Sequence, residues 1–171
     1  MIQIQPERVA SCWDEIDALA RMHHAGTSSY RRHEPYNPDK QRYFINNNNG
    51  FFHLMTARDE GKLVGYFGLY IMPSMHSQLL TATEDTFFIH PDYRQGRLAI
   101  RMLRAVEQLC RDRQVHELLF SCEMDNTRGI KGLLGLLDYE PVIVQYRKRL
   151  PQPGTDSAAT LATVGSHGTA Q

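Results

Sequence analysis

Apolar residues recur along this chain with two periods, and each change of period marks the start of a new element. Ile2 and Ile4 alternate with polar neighbours, which predicts a short first strand. Val9, Cys12, Trp13, Ile16, Leu19 and Ala20 then repeat at three-and-four spacing and give a helix one apolar face. Pro6 and Glu7 suit its first turn, because a missing N–H is no loss there and acid complements the helix dipole. Gly26-Thr27-Ser28-Ser29 ends that helix, and Asn37-Pro38-Asp39 caps a second, shorter one bearing Tyr43, Phe44 and Ile45. The polar run 46–50 breaks the pattern. Beyond it, apolar stretches over 51–56, 63–72 and 79–89 are separated by turn residues, the order of an antiparallel meander. Gly65 and Gly68 weaken the middle stretch as a strand and point to close backbone approach or a bulge.

The clearest helix follows. Leu98, Met102, Val106, Leu109 and Cys110 share one face, while Arg101, Arg104, Glu107, Gln108 and Arg111 share another. A strand over 115–122 comes next, and strand, crossover helix and strand make parallel neighbours with a right-handed connection. Asp125-Asn126-Thr127 caps a helix over 128–137, weak by propensity because it holds Gly129, Gly132 and Gly135. A final strand over 141–150 sets Val142, Val144 and Tyr146 against Ile143 and Gln145. Together these elements predict an α/β fold: a mixed central sheet, antiparallel meander plus parallel strands, flanked by helices. Residues 1–150 read as one domain. From Pro151 onward the chain is Pro, Gly, Ser, Thr and Ala with scattered apolar residues, so 151–171 is expected to be a flexible low-complexity tail unless a partner surface holds it.

Composition narrows the class. Lys+Arg and Asp+Glu both number 19, so no global field draws the chain to nucleic acid or membrane, although a local patch stays open. No stretch is long and apolar enough to span a bilayer, and the N-terminus lacks a secretory pattern. Cys12, Cys110 and Cys122 lack metal-ligand spacing and sit in apolar runs, which predicts buried thiols in a reducing, cytoplasmic compartment. His23, His24 and His33 have no metal spacing either, so no metal is expected.

The candidate chemistry lies where the third meander strand meets the long helix, at Tyr93-Arg94-Gln95-Gly96-Arg97-Leu98-Ala99-Ile100. A strand, a basic glycine-containing turn and a helix N-terminus form an anion site, because backbone N–H groups point outward and the dipole adds positive charge. The expected guest is a phosphate-bearing cofactor. This turn resembles the pyrophosphate loop of the GCN5-related N-acetyltransferase (GNAT) superfamily, written Arg/Gln-x-x-Gly-x-Gly/Ala. Arg94 fits the first position and Ala99 the last, while Arg97 replaces the middle glycine and Gly96 falls one place early. The Arg-x-Gly-Arg variant is similar to phage-encoded members. Leu133-Leu134-Gly135-Leu136-Leu137-Asp138-Tyr139-Glu140-Pro141 resembles the family's late motif, in which a tyrosine-bearing helix ends in Leu-Gly-Tyr/Phe. The order of elements over about residues 1–150 is that of the family.

The resemblance implies an acetyl-CoA-dependent N-acetyltransferase acting on an amine by direct attack in a ternary complex. Backbone amides of Gln95, Gly96, Arg97, Leu98 and Ala99 would hold the coenzyme A pyrophosphate, with Arg94 and Arg97 adding charge. Phe88, Ile89 and His90 would pair with the pantetheine amides, and Asn126 would lie near the cofactor arm. Relatives carry a glutamate base on the strand that here holds Glu84 and Asp85. Strand neighbours face opposite ways, so at most one enters the cleft and Glu84 is favoured; a solvated strand end is the other reading. Where the family has a tyrosine that protonates the leaving thiolate, this chain has Leu134, and Asp138 stands for a glycine. Tyr146 or Tyr93 would then be the acid, and His90 is a second candidate base.

The acceptor, a small-molecule or protein amine, would be selected by the loops 26–37 and 70–78. Tyr30-Arg31-Arg32-His33 is either a basic wall for an acidic substrate or a solvated loop. Arg97, Arg101, Arg104 and Arg111, with Arg113 beyond, form a stripe that Glu107 and Asp112 interrupt; it reads as a solvated face, a 3′-phosphate contact or a nucleic-acid contact. The departures at Arg97 and Leu134 keep a rival open: a catalytically degenerate structural or interaction protein, such as a phage virion or host-takeover component. Such a protein would form a homo-oligomer or assembly contact through its tail.

Overall fold

The computed structural model describes residues 1–26, 34–122 and 127–148. They belong to two compact units, 1–139 and 140–171. The first unit holds β1 (Gln3–Glu7), α1 (Val9–Gly26), α2 (Lys40–Asn48), β2 (Phe52–Asp59), β3 (Lys62–Pro73), β4 (Leu80–Ile89), a 3₁₀ turn (Pro91–Tyr93), α3 (Leu98–Asp112), β5 (Glu117–Leu119) and α4 (Thr127–Gly135). The strands lie in the order β1-β2-β3-β4-β5, antiparallel up to β4 and parallel between β4 and β5.

Strand alternation gives the sheet two apolar faces, and each finds its helices. Tyr66, Phe52, Leu54 and Phe88 pack with Val9, Cys12, Ile16 and Leu19 of α1. Phe67, Val64, Leu69 and Met55 pack with Leu98, Met102, Leu103 and Val106 of α3, joined by Leu134 of α4. The three-and-four apolar spacings therefore mark the buried faces of both long helices. Asp39 caps α2 as expected, its side chain accepting from the Arg42 N–H.

Both glycines in β3 answer to close approach. A Cβ on Gly68 would lie 2.6 Å from Cζ of Phe52, and one on Gly65 would lie 3.1 Å from the Phe88 carbonyl oxygen. Beside Gly68 the β3–β4 register slips at a bulge. Gly68→Ala is expected to lose about 1–3 kcal/mol through displacement of the Phe52 ring. Gly132→Ala, where a Cβ meets nothing within 4 Å, is expected to gain up to about 1 kcal/mol of helix propensity. Urea denaturation of the two variants checks both signs.

Several expectations are corrected. Pro6 and Glu7 end β1 and do not open a helix; proline is tolerated in this edge strand, and the Glu7 carboxylate is bound by Arg58. β5 is shorter than the predicted 115–122. Cys12 and Cys110 are buried, with burial raising both thiols to about 11, but Cys122 is exposed, because it lies past the end of β5. In the second unit, 140–148 form no strand, and Val142, Ile143 and Val144 are exposed. Alternation prepares two faces, but a strand exists only when a neighbour supplies the ladder, and no described residue pairs with these. The cap at Asp125-Asn126, the Tyr30–His33 wall and the 151–171 tail lie outside the described residues.

Candidate active site

The parallel ladder of β4 and β5 joins Thr81 to Glu117, Ala82 to Leu118 and Thr83 to Leu119, and then stops. β4 continues on its other side, paired with β3 as far as Ile89 opposite Gly65. From Glu84 onward one edge of β4 therefore carries no β5 ladder. The His90 N–H donates to the Val64 carbonyl at 2.8 Å, which fixes the alternation. Phe88 turns its backbone groups and His90 its N–H toward β3, while Phe87 and Ile89 turn their backbone groups toward the opened side. Of the trio Phe88, Ile89 and His90, Ile89 is thus the one whose polar backbone faces the gap.

Arg94 is tied back into this edge. Its Nε donates to the Ile89 carbonyl at 2.9 Å, and its guanidinium lies 5.2 Å from the centroid of the Phe88 ring. It braces the end of β4. His90 starts the 3₁₀ turn, its Nδ1 accepting from the Asp92 N–H at 3.3 Å.

Past that turn Gly96 adopts φ +94°, the left-handed region where a side chain would be strained, and a Cβ there would meet open space. Gln95, Gly96 and Arg97 are exposed, Ala99 is half-buried, and Leu98 is packed into the core, so Leu98 has only its backbone to offer. Arg97 begins α3 without a side-chain capping bond, and the first helical bond runs from the Arg101 N–H to the Arg97 carbonyl. The first-turn amides thus keep donors for an anion, beside the exposed Arg97.

The bulge decides what faces where. Gly68 opposes Thr86 and Leu69 opposes Glu84, leaving Asp85 as the extra residue of β4. Before the bulge Ala82 belongs to the α3 face; after it Phe88 belongs to the α1 face. Glu84 therefore shares the side of Ala82, and its Oε2 accepts from the Ser121 N–H at 3.4 Å, just beyond the end of β5. Asp85 takes the other side, where its Oδ2 accepts from the Tyr43 hydroxyl at 2.9 Å. Beside it Thr86 Oγ1 lies 3.4 Å from His23 Nδ1, and the His23 ring stacks on Phe88 at 4.9 Å. Tyr43 packs edge-on against Phe52, and Phe52 against Tyr70. Burial first, and then the charge of Asp85, raises the phenols of Tyr43 and Tyr70, and burial with a smaller push from Asp85 takes Tyr66 to about 12. At neutral pH all three phenols keep their protons.

The remaining candidates scatter. The Tyr93 hydroxyl donates to Asp59 Oδ2 at 3.3 Å. Leu134 is a core residue. Tyr146 is 94% exposed in the second unit. Asn126 lies outside the described residues, among which no His, Cys, Asp and Glu group is placed to hold a metal. Nor is any described helix long and apolar enough to cross a membrane. Sequence reasoning missed the Asp85–Tyr43 link and the part of His23. Its one usable signal was Gly68, which marks the bulge.

The sequence profile of the Acetyltransferase (GNAT) family matches residues 16–131. No curated protein matches the chain at the level of sequence. Among solved structures, a ribosomal-protein-alanine N-acetyltransferase from Brucella melitensis biovar Abortus 2308 aligns over 88% of this chain and 100% of its own, with a TM-score of 0.68 and 18% identity. An aminoglycoside acetyltransferase from an uncultured soil metagenomic sample gives 0.73 at 9% identity, over 88% and 99% of the two chains. A predicted acetyltransferase with acetyl-CoA from Clostridium acetobutylicum gives 0.66 at 9%, over 87% and 96%. At these identities the structures establish a shared GNAT fold, and the family profile does the rest: the chain belongs to the acetyltransferase (GNAT) family.

Proposed function

We propose that this chain is an N-acetyltransferase that uses acetyl-CoA and an amine acceptor, by direct attack in a ternary complex. The observation that carries the reading is the β4 edge that loses its β5 ladder after Thr83 and runs toward an uncapped helix N-terminus. The residues present fit the cofactor. An open positive-φ turn with first-turn donors suits a diphosphate, and a strand edge suits an amide-bearing arm. The amides of residues 95–99 are the proposed diphosphate donors, with the Arg97 charge beside them. Phe87 and Ile89 are the proposed edge partners, and Arg94 is a brace.

When bound, acetyl-CoA supplies a thioester carbonyl open to attack by an amine. Glu84, on the opened edge, is the proposed base that takes the proton of the acceptor's ammonium, directly or through water. Leu134 has no proton to give to the leaving sulfur, so solvent is the proposed donor. That demand is modest, because a thiol of this kind has a pKa of roughly 8.5 by analogy with cysteine. An amine acceptor accords with the neighbours' names, which include a ribosomal-protein-alanine N-acetyltransferase and an aminoglycoside acetyltransferase. The buried thiols of Cys12 and Cys110 accord with a cytoplasmic setting, and the Arg97 turn with a phage-encoded relative.

Calorimetry with acetyl-CoA tests the cofactor reading. The wild type is expected to bind with a micromolar Kd and Arg97→Glu at least ~100-fold more weakly, since a charge-assisted contact becomes a repulsion. A folded wild type that binds nothing at millimolar cofactor would overturn it.

A further inference from the structure

The core side of α3 is apolar, and what the helix shows to solvent is a second, basic stripe. From the N-cap to the last turn the exposed positions are Arg97, Arg101, Arg104, Gln108 and Arg111, with Asp112 at the end. At 3.6 residues per turn, the first five fall within about 80° of the circumference and along about 21 Å of the axis. The chain's formal charges sum to zero, yet those of this row are not cancelled where they stand. Among the described residues no carboxylate pairs with Arg97, Arg101 or Arg104. Arg101 Nη2 donates to the Ile2 carbonyl at 2.8 Å, which steadies the guanidinium and leaves its charge and its other donors. Acid enters only toward the last turn, where Glu107 lies 3.8 Å from Arg111 and Asp112 accepts from Gln108 at 2.7 Å.

A straight row of guanidinium groups suits a partner that repeats an anion along a line. Their planar forks match the paired oxygens of phosphate and shed water more readily than an ammonium does. A lipid surface is poorly served, because a helix lying on a membrane buries an apolar face there, and that face of α3 is already in the core. A single strand is poorly served as well, since its bases need aromatic side chains to stack on and α3 has none. A duplex backbone needs neither, and it offers one negative charge per about 1.7 Å of its axis. With one side packed on the sheet, α3 cannot enter a groove whole, so the contact is with sugar and phosphate and reads no sequence.

We propose that the row Arg97, Arg101, Arg104 and Arg111 is a docking surface for the backbone of double-stranded nucleic acid, bound without regard to sequence. The proposal goes beyond the transferase reading and does not rest on it. Because the row opens at Arg97, a docked duplex lies beside the turn proposed to hold the cofactor diphosphate.

Fluorescence anisotropy with a labelled DNA duplex of about 20 base pairs, two helical turns, tests it on the full chain without acetyl-CoA. The wild type is expected to bind with a Kd on the order of 1–10 µM at ~50 mM salt and ~10- to 100-fold more weakly at ~200 mM. Three phosphate contacts give a log–log salt slope of about −2.7. Arg101→Gln combined with Arg104→Gln is expected to weaken binding at least ~10-fold at the lower salt and to bring the slope to about −1. Arg104→Gln alone removes no described bond; it is expected to cut the slope by about 1, and it carries the test should the double variant lose its hold on Ile2 and misfold. Arg104→Lys, which keeps the charge, is expected to keep the slope. A folded wild type that binds no duplex at the lower salt overturns the proposal, as does a slope that the glutamine variants leave unchanged. Displacement of the duplex by poly-glutamate or by phosphatidylglycerol vesicles at equal anion concentration would assign the row to an acidic protein or a membrane, and overturns it too.

Discussion

Glu84→Gln is expected to lower kcat by ~10² to ~10⁴ with acetyl-CoA affinity held within ~2-fold, because the substitution removes the proposed base. Glutamine is nearly isosteric and its side-chain oxygen still accepts from the Ser121 N–H, so that bond across the opened edge survives. What disappears is the ability to take a proton from the acceptor. Glu84→Asp, with the acid kept and its reach shortened, should fall between wild type and Glu84→Gln. A Glu84→Gln rate within ~3-fold of wild type would place the base elsewhere.

What could be read from the residues, and what could not, follows from the range of the forces involved. The α1 stripe of Val9, Cys12, Ile16 and Leu19 and the α3 stripe of Leu98, Met102 and Val106 were legible because burial of a helix face repeats locally. The basic turn at 94–97 was legible for the same reason, since strand, glycine and helix start are contiguous. Long-range partners were not. Pro6 looks like a helix opener until the β1 ladder claims it. Arg94 reads as a phosphate ligand, and nothing near it in sequence announces that its Nε also donates to the Ile89 carbonyl. Glu84 and Asp85 were rightly expected to diverge, but which residue faces which layer depended on a bulge that period-two counting cannot place. Tyr43 read as one more apolar helix residue, and nothing near it in sequence announces Asp85 as its partner.

Arg58→Met is expected to cost about 3–5 kcal/mol of stability in urea denaturation, with m unchanged, because it strips a nearly buried charge network of its cation. Arg58 Nε donates to Glu7 Oε1 at 2.7 Å and its terminal nitrogens reach Glu7, Glu15 and the Gly61 carbonyl, so one fork joins β1, α1, β2 and the β2–β3 turn. Glu7 is only 14% exposed and also accepts from the buried Thr56 hydroxyl, whereas Glu15 is 46% exposed and contributes less. The Arg58 hydrogen bond, against the opposing cost of burial, holds the Glu7 carboxyl down at about 2 from its ordinary 4.5. A depressed carboxylate stabilises the fold above its unfolded pKa, and the gain, roughly 3 kcal/mol at neutral pH, drains away as pH falls from about 5 toward 2. Removing Arg58 should therefore lower stability at pH 7 and flatten its acid dependence in the same variant. Arg58→Lys should rescue only part, since a single ammonium cannot match two carboxylates and a carbonyl at once. A loss below ~1 kcal/mol, or an acid slope as steep as wild type, would show that the fork is decoration and that β1 is held by its ladder alone.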